Sequence, residues 1–225
     1  MDKKAIIYLV RLSIQKILGL VCYLLGSSWV LNQRSIIYFS IYISGSLVLG
    51  LSMFMINSKT LAERNKINTN SPKWDKILLG IFWLLEFFVI YFFAGYEANK
   101  LTENVGFIYW IGIILNILSG MITLRAMIVN TFLESTARIQ HDREQTVCED
   151  GPYRVVRHPT YLSIMIASVG IYMVFPTPIV MICTIIIAVI ITFRTYLEDK
   201  MLQNGLKGYK EYTKKVKCRL IPFIW

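Results

Sequence analysis

The chain has 225 residues, of which 55% are hydrophobic and only 17% are charged. This composition excludes most soluble globular domains of similar length, which are less apolar. The formal net charge is +10, but there is no basic-aromatic module of the kind that binds nucleic acid. Nearly all basic residues lie between apolar segments, as the positive-inside rule expects of a membrane protein. We therefore predict an integral membrane protein in contact with membrane lipids and without a nucleic-acid partner.

Six apolar segments are predicted to be membrane helices, because windows of about 15 to 21 residues carry few or no charges. In chain order, the first four cover about 12–31, 36–56, 77–96 and 105–124. Lys16 lies near the start of the first segment, and we expect its long side chain to reach the membrane surface. Glu86 lies in the middle of the third, where a charge is costly, so function is the default hypothesis for it. The structural alternatives are that Glu86 is protonated, or that it is bonded to Asn116 or to a serine across helices.

The last two segments form a predicted helical hairpin. An uncharged run of 34 residues extends from Thr160 to Phe193. One straight helix of that length would reach about 51 Å, far beyond a hydrocarbon core of ~30 Å. Two prolines, Pro176 and Pro178, interrupt the run. We therefore predict two arms, at about 160–175 and 179–196.

The distribution of basic residues predicts the orientation. Of the 24 Lys and Arg residues, only Arg34 and Lys100 fall in loops that we assign to the outside. The positive-inside rule then places both termini, the 57–76 loop and the 125–158 region in the cytoplasm. The predicted fold class is an all-α integral membrane protein with about six transmembrane helices and a cytoplasmic cofactor pocket.

The C-terminal segment is predicted to be an amphipathic helix at the cytoplasmic surface. Its apolar residues recur at helical spacing, at Leu202, Leu206, Tyr209 and Val216. The four cysteines are scattered, with no C-x-x-C pair and no neighbouring histidine cluster. We therefore predict neither a metal site nor a disulfide framework.

Cationic side chains gather just before the hairpin, in the stretch "GPYRVVRHPTY" at residues 151–161. Proline is favoured at the first position of a helix, so Pro159 places Arg157 and His158 at a helix N-terminus. Free backbone N–H groups beside two cations make an anion site that suits a carboxylate. The alternative is that these cations contact lipid phosphates.

A second polar motif, "RTYLED", follows the last arm of the hairpin at residues 194–199. Arg194 ends the membrane segment, and Glu198 and Asp199 follow within about one turn. The hairpin brings this motif to the same membrane face as the first one. The acidic pair suits a ribose, an amine or a sulfonium, although ordinary surface salt bridges are the alternative. Together the motifs predict a site for a zwitterionic cofactor and for a lipophilic substrate that enters from the bilayer.

Three stretches in this order resemble the isoprenylcysteine carboxyl methyltransferase family, to which phospholipid N-methyltransferases are related: "GPYRVVRHPTYLS", "RTYLEDKML" and "GYKEYTKKVKCRLIPFIW". Two upstream stretches, "AERNKINTNSPKWDKILL" and "NTFLESTARIQ", are similar to its prokaryotic branch. The resemblance covers about 61–225, whereas 1–56 carries no signature. We predict a single membrane domain over 1–225.

The resemblance implies an enzyme that uses S-adenosyl-L-methionine. It implies cofactor contacts from the family motif and the turn before it, at Gly151, Pro152, Tyr153, Arg157, His158, Pro159 and Tyr161, and from Glu198. Gln140, in the segment leading to this motif, is a further candidate. Arg194 is implied to place the carboxylate of the substrate. Glu198 and Asp199 match an acidic pair that is usually Glu-Glu, so Asp199 is shorter by one methylene.

The loop residues Arg64, Trp74 and Asp75 also match a family motif. We interpret them as a lid or an interhelix clamp rather than as reacting groups. The acceptor stays open between two chemistries. A carboxylate is already ionised at pH 7 and needs only an orienting cation such as Arg194. An amine needs a proton acceptor, for which Glu198 and Asp199 are the candidates.

Three functions compete. The first is methyl transfer to a lipophilic acceptor, with an isoprenylated cysteine carboxylate leading and a phospholipid or other amine as the alternative. The second is an NADPH-dependent sterol-type reductase, but those enzymes continue with Gly-Glu where this chain has Leu162 and Ser163. The third is a non-catalytic membrane protein, which would spread ionisable residues through its spans, whereas only Glu86 is central here. We predict the first, and the oligomeric state is left open.

Overall fold

All regular secondary structure in the described residues is helical. The computed structural model describes residues 3–65, 71–101 and 105–225, and these ranges contain no β-strand. The helices in chain order are α1 Lys3–Gly26, α2 Gln33–Arg64, α3 Lys73–Leu84, α4 Ile90–Tyr96, α5 Phe107–Val129, α6 Pro159–Val174, α7 Pro178–Gly205 and α8 Tyr209–Lys215. A π-helical turn, Leu85–Val89, joins α3 to α4 without a break, so Lys73–Tyr96 is one membrane helix.

Five helices are long and apolar enough to cross a membrane, namely α1, α2, the joined α3–α4 helix, α5 and α7. Helix α6 is apolar but has only 16 residues. The predicted all-α membrane architecture is confirmed, with five helices of spanning length among the described residues rather than six. Several helices also run beyond the predicted spans, and α7 continues to Gly205. Charges mark the edge of the hydrocarbon region, whereas backbone hydrogen bonding continues past it.

Glu86 and Lys16 are ionisable residues within membrane helices. Glu86, in the π-helical turn, is buried, and its Oε2 has no hydrogen-bond partner among the described residues. Lys16 donates to the Tyr42 hydroxyl at 2.8 Å, so its ammonium group bridges α1 and α2. Asn116 donates to the Gly112 carbonyl at 2.8 Å. No hydrogen bond between Asn116 and Glu86 is present among the described residues.

Helices α5 and α6 approach each other closely. A methyl group added at Gly112 would lie 2.7 Å from the Gly170 carbonyl oxygen, so only small residues permit this contact. Nearer the other end of the pair, the hydroxyls of Thr123 and Ser163 are 2.7 Å apart. This packing fixes the N-terminus of α6 beside the C-terminus of α5, where the polar motifs lie.

The hairpin of α6 and α7 is closed by polar contacts at its turn. Arg34 donates from NH1 to the last carbonyl of α6, at Val174, over 2.7 Å. The Glu97 carboxylate accepts the Ile179 backbone N–H at 3.1 Å, at the start of α7, and the Lys100 ammonium at 2.9 Å. Glu97 is only 1% exposed. The predicted break at Pro176 and Pro178 is confirmed, because α7 begins at Pro178.

Replacing Glu97 by Ala is expected to lower the free energy of unfolding by about 1–2 kcal/mol, as for the loss of a helix cap. The matched control is Lys100→Ala, which keeps the cap and removes an ion pair with an exposed lysine, at a cost of at most about 1 kcal/mol. Thermal unfolding in detergent measures both changes. Equal stabilities for the two variants would remove Glu97 from the cap.

The Glu97 contribution also depends on pH. Burial alone would raise the pKa of Glu97, but the hydrogen bonds from Lys100 and the Ile179 N–H outweigh burial and lower it. A carboxyl group whose pKa is lower in the folded state stabilises the protein fully above its unfolded-state pKa, about 4.3. That stabilisation is lost as the pH falls through the folded-state pKa. The Glu97→Ala variant should therefore lose less stability on acidification than the wild type.

The C-terminal segment differs from the single amphipathic helix that was predicted. Helix α7 ends at Gly205, Gly208 adopts a left-handed conformation with φ of 85°, and the short α8 follows. The apolar residues are buried together in a cluster of Leu202, Leu206, Tyr209, Tyr212 and Val216, which packs on Ile139 and Val147. These residues therefore cover the 130–148 loop rather than a lipid surface.

Candidate active site

A pocket lies where the two predicted motifs meet, at the end of the bundle that carries the 130–158 segment and the C-terminal residues. It encloses about 750 Å³, including its open mouth. The 130–148 loop, the turn at 151–154, the start of α6, the end of α7 and α8 all contribute to its wall. The predicted residues on that wall are Gln140, Tyr153, Arg157, His158, Tyr161 and Glu198.

Asp199 is the centre of a buried ion-pair network beside the pocket. Its side chain is 1% exposed. Its carboxylate accepts hydrogen bonds of 2.7–3.0 Å from Arg157, Gln203, Tyr209 and Arg219. Arg157 donates twice, so five donors occupy about four lone-pair sites. A carboxylate saturated in this way is suited to holding its partners in place.

Arg157 ties the C-terminal segment to this network. In addition to the two bonds that Arg157 makes to Asp199, its Nη1 donates to the carbonyls of Val216 and Lys217 at 2.8 and 2.9 Å. Its backbone N–H donates to the Cys218 carbonyl at 3.0 Å. Burial opposes the charge on Arg157, but the hydrogen bonds and charge of Asp199 raise its pKa overall. The guanidinium therefore stays charged and acts as an anchor inside the protein.

His158 and Tyr161 form a stacked pair on the pocket wall. Their rings are parallel within 4°, with centres 5.6 Å apart. His158 Nε2 lies 3.4 Å from both Asp199 Oδ1 and the Tyr209 hydroxyl. The Tyr161 hydroxyl donates to the carboxylate of Glu198, which is half-buried. Aromatic faces and a carboxylate are groups that attract a cationic ligand.

The Gly-Pro-Tyr turn joins three elements at the pocket. Gly151 has φ of 56°, a left-handed conformation that glycine adopts without strain. The buried Tyr153 accepts a hydrogen bond from Asn130 Nδ2 at 3.0 Å, and its carbonyl accepts one from the Tyr212 hydroxyl at 2.6 Å. Pro152 is in the short 3₁₀ turn between Gly151 and Tyr153. The turn thus links the end of α5 to α8.

Gln140 shapes the loop that forms one side of the pocket. Its Nε2 donates to the Phe132 carbonyl at 2.5 Å, and its Oε1 accepts from Arg143 at 2.7 Å. The Gln140 backbone N–H donates to the Gln145 side chain at 2.8 Å. Both ends of the Gln140 amide are thus engaged within the loop.

Arg194 lies deeper, where α7 meets α3. Its Nε donates to Asp75 Oδ1 at 2.8 Å, and its NH2 donates to the Ser135 carbonyl at 2.7 Å. Its guanidinium carbon lies 5.2 Å from the centre of the Tyr161 ring. Asp75 Oδ2 accepts the Ala137 backbone N–H at 2.9 Å, so Asp75 joins α3, α7 and the pocket loop. This arrangement fits the interhelix clamp that was predicted for Asp75.

The sequence analysis did not identify several residues of the site. Glu134 and Arg138 form a bidentate pair at 2.8 and 2.9 Å on the pocket wall. Tyr209 and Tyr212 also line the pocket, although their spacing had assigned Tyr209 to a lipid-facing helix. Burial and the Asp199 carboxylate raise the pKa of Tyr209, so its hydroxyl remains a donor. The four-residue spacing of Glu134 and Arg138 was the one local pattern that could have predicted their ion pair.

Comparison with known proteins finds a similarity in the central segment of the chain. Residues 110–204 match the model of the isoprenylcysteine carboxyl methyltransferase (ICMT) family. A comparison with curated proteins found no match. The matched segment begins in α5, ends in α7, and contains both polar motifs and most of the pocket wall. Residues 110–204 of this chain are therefore similar to the isoprenylcysteine carboxyl methyltransferase family.

Proposed function

We propose that the protein is an integral membrane methyltransferase that uses S-adenosyl-L-methionine and methylates the carboxylate of an isoprenylated cysteine or a similar isoprenoid acid. The observation that carries the proposal is the arrangement around Tyr161. A buried cation, Arg194, lies over its ring, His158 stacks on the ring, and the Glu198 carboxylate accepts its hydroxyl. These residues come from the motifs at 151–161 and 194–199, and both motifs lie within the matched segment 110–204.

The pocket fits the proposed cofactor in its chemistry. The cofactor carries a sulfonium and an ammonium group, and the pocket offers the half-buried Glu198 carboxylate and four tyrosines, Tyr153, Tyr161, Tyr209 and Tyr212. His158 Nδ1 makes no hydrogen bond among the described residues, and we assign it to the methionine carboxylate, as a donor of the imidazolium form whose Nε2 faces Asp199. When bound, the cofactor supplies an electrophilic methyl group. Arg157 supports this wall by holding Asp199 and the C-terminal segment in place.

The hydrogen bonds of the acidic residues favour a carboxylate acceptor over an amine. An amine acceptor must lose a proton, which requires a free base. Asp199 is saturated by five donors, and Glu198 is engaged by Tyr161. A carboxylate acceptor is ionised at pH 7 and needs only orientation. Arg194 NH1 has no hydrogen bond within the described residues, so we assign it to the acceptor carboxylate.

The surroundings of Arg194 suit a lipophilic substrate. Phe193 and Tyr196, its neighbours on α7, are exposed on the helix surface. An isoprenoid chain in the bilayer can therefore lie along α7 with its carboxylate near Arg194. The positive-inside rule places this end of the bundle, with both termini, in the cytoplasm, where the water-soluble cofactor is available. Chemistry then takes place at the membrane surface and is governed by positioning and desolvation.

The first test is S-adenosyl-L-methionine binding to the purified protein in detergent. His158→Ala is expected to weaken binding by roughly 10-fold or more, because hydrogen bonds to charged groups contribute about 1.5–3 kcal/mol. Isothermal titration calorimetry measures the affinities of both proteins, with NADPH as a comparison ligand. The matched control is His141→Ala, which removes the other histidine of the chain, exposed on the loop.

Unchanged affinity in His158→Ala would remove His158 from the cofactor site. Binding of NADPH by the wild type, without binding of S-adenosyl-L-methionine, would replace the proposed function with the reductase.

A further inference from the structure

The inference concerns Asp75, which lies on α3 outside the family segment at 110–204. Asp75 is 0% exposed and Arg194 is 2% exposed. A buried guanidinium needs a charged partner, because an unpaired buried charge is strongly destabilising. Asp75 is the carboxylate that pairs with Arg194 in the described part of the chain, at 2.8 Å. The two residues are 119 positions apart in the sequence.

The geometry of the pair fixes the orientation of the guanidinium. Asp75 contacts Arg194 from the side, through Nε, and Ser135 binds NH2 with its carbonyl. The Tyr161 ring lies beneath the guanidinium plane as a third contact. Three contacts define the position of a planar group, and the NH1 end is left for the acceptor.

The second oxygen of Asp75 extends the effect to the pocket. It accepts the Ala137 N–H at 2.9 Å, within the loop that contributes Glu134, Thr136 and Arg138 to the pocket wall. The buried Asp75 carboxylate thus holds two groups in position, the Arg194 guanidinium that we assign to the acceptor and the loop at Ala137. Without Asp75, the nearest acid to Arg194 is Glu198, whose charge already acts on it. Arg194 would then turn toward Glu198 and away from the acceptor.

We propose that Asp75 is the positioning residue of Arg194, which holds the guanidinium in the orientation that receives the acceptor carboxylate. The proposal rests on the proposed function and adds a residue from outside the family segment to it. Asp75 touches neither ligand. It acts through Arg194, so its loss should affect the acceptor far more than the cofactor.

The test is Asp75→Asn, which keeps the shape of the side chain and removes its charge. An amide has one acceptor oxygen, so its NH₂ group must face the donor of either Arg194 or Ala137. We expect kcat/KM for a farnesylated cysteine analogue to fall about 100-fold, as for a misplaced catalytic group. Calorimetry should show unchanged S-adenosyl-L-methionine affinity. The matched control is Asp150→Asn, which removes an exposed carboxylate paired with the exposed Arg154, and should leave both measurements unchanged.

A double-mutant cycle separates positioning from a structural role. In an Arg194→Lys background, the loss caused by Asp75→Asn should be much smaller, because lysine lacks the side-on Nε contact. Equal losses in both backgrounds, or a parallel loss of cofactor affinity, would overturn the proposal. If Asp75→Asn does not fold, the same kinetics are measured on Asp75→Glu, which keeps the charge but moves the carboxylate by one methylene. Reduced kcat/KM in Asp75→Glu supports the proposal, and wild-type kinetics overturns it. A wild-type protein that transfers no methyl group would instead contradict the proposed function.

Discussion

Arg194→Gln is expected to lower methyl transfer to an isoprenoid carboxylate by at least about 100-fold, with S-adenosyl-L-methionine affinity nearly unchanged. The physical reason is that the acceptor carries a full negative charge in a site largely screened from water. Arg194 is the buried cation over Tyr161, and its NH1 is free of hydrogen bonds among the described residues. Glutamine keeps a polar side chain, although it is two atoms shorter than arginine, and it cannot neutralise the acceptor. Transfer of a labelled methyl group to a farnesylated cysteine analogue measures the loss.

The single variant leaves Asp75 as a buried unpaired carboxylate, which costs about 3–5 kcal/mol. The matched control is therefore the double variant Asp75→Asn/Arg194→Gln, in which both charges are removed. We expect the double variant to recover stability, to keep the cofactor affinity of the single variant, and not to recover methyl transfer. Recovery of transfer in the double variant would show that Arg194 acts on folding alone.

The product distinguishes the possible acceptors. A methylated carboxylate is an ester that base hydrolyses, whereas a methylated amine resists base. Label on the farnesylated cysteine analogue that base releases supports the proposed function. Base-stable label on a lipid amine in the same vesicles would instead support the N-methyltransferase alternative.

Local sequence patterns predicted the helices and the motifs of the site, but they did not predict which charged side chains pair with each other. Charge-free windows predicted the membrane helices, and Pro176 with Pro178 predicted the hairpin. The motifs at 151–161 and 194–199 were expected to share one membrane face, and His158 and Tyr161 indeed lie beside Glu198. These predictions depend on hydrophobicity and on backbone rules that act over a few residues.

The pairings depend on helix packing, which no local pattern records. Arg194 meets Asp75 only because α3 and α7 are neighbours, and Asp199 meets Arg219 only because the chain turns back at Gly208. The apolar spacing of the C-terminal segment was real, but it faces a protein loop rather than lipid. Lys16 likewise found a partner, Tyr42, on an adjacent helix. From a charged residue near a membrane segment we can therefore predict that its side chain has an ion-pair or hydrogen-bond partner, but not which residue that partner is.

Asp199→Asn is expected to have the largest effect on stability of any single change at the site, because it removes the charge on which Arg157 depends. The Arg157 side chain is 4% exposed, so it would be left as a buried cation without its carboxylate. Removing one partner of a buried pair costs about 3–5 kcal/mol. The bonds from Gln203, Tyr209 and Arg219 would weaken as well.

The change in Asp199→Asn should be concentrated in the C-terminal segment. Arg157 and His158 bind the carbonyls of residues 216–219, and Tyr209 binds Asp199 directly. We expect faster proteolysis after residue 205, a lower Tm in detergent, and loss of the pocket wall formed by Tyr209 and Tyr212. Limited proteolysis with mass spectrometry locates the cleavage, and thermal unfolding gives the stability.

Two neighbouring variants separate an anchoring role for Asp199 from a catalytic one. Glu198→Gln removes the adjacent charge, but that carboxylate is half-buried and engaged by Tyr161 alone, so we expect little loss of stability and a clear loss of methyl transfer. Asp199→Glu keeps the charge one methylene further out, so it should retain more stability than Asp199→Asn. If Asp199→Asn instead has wild-type Tm and proteolysis but no activity, the Asp199 carboxylate acts on the reacting groups. The five hydrogen bonds to that carboxylate would then be a means of orienting it, as required of a group that acts in the chemistry.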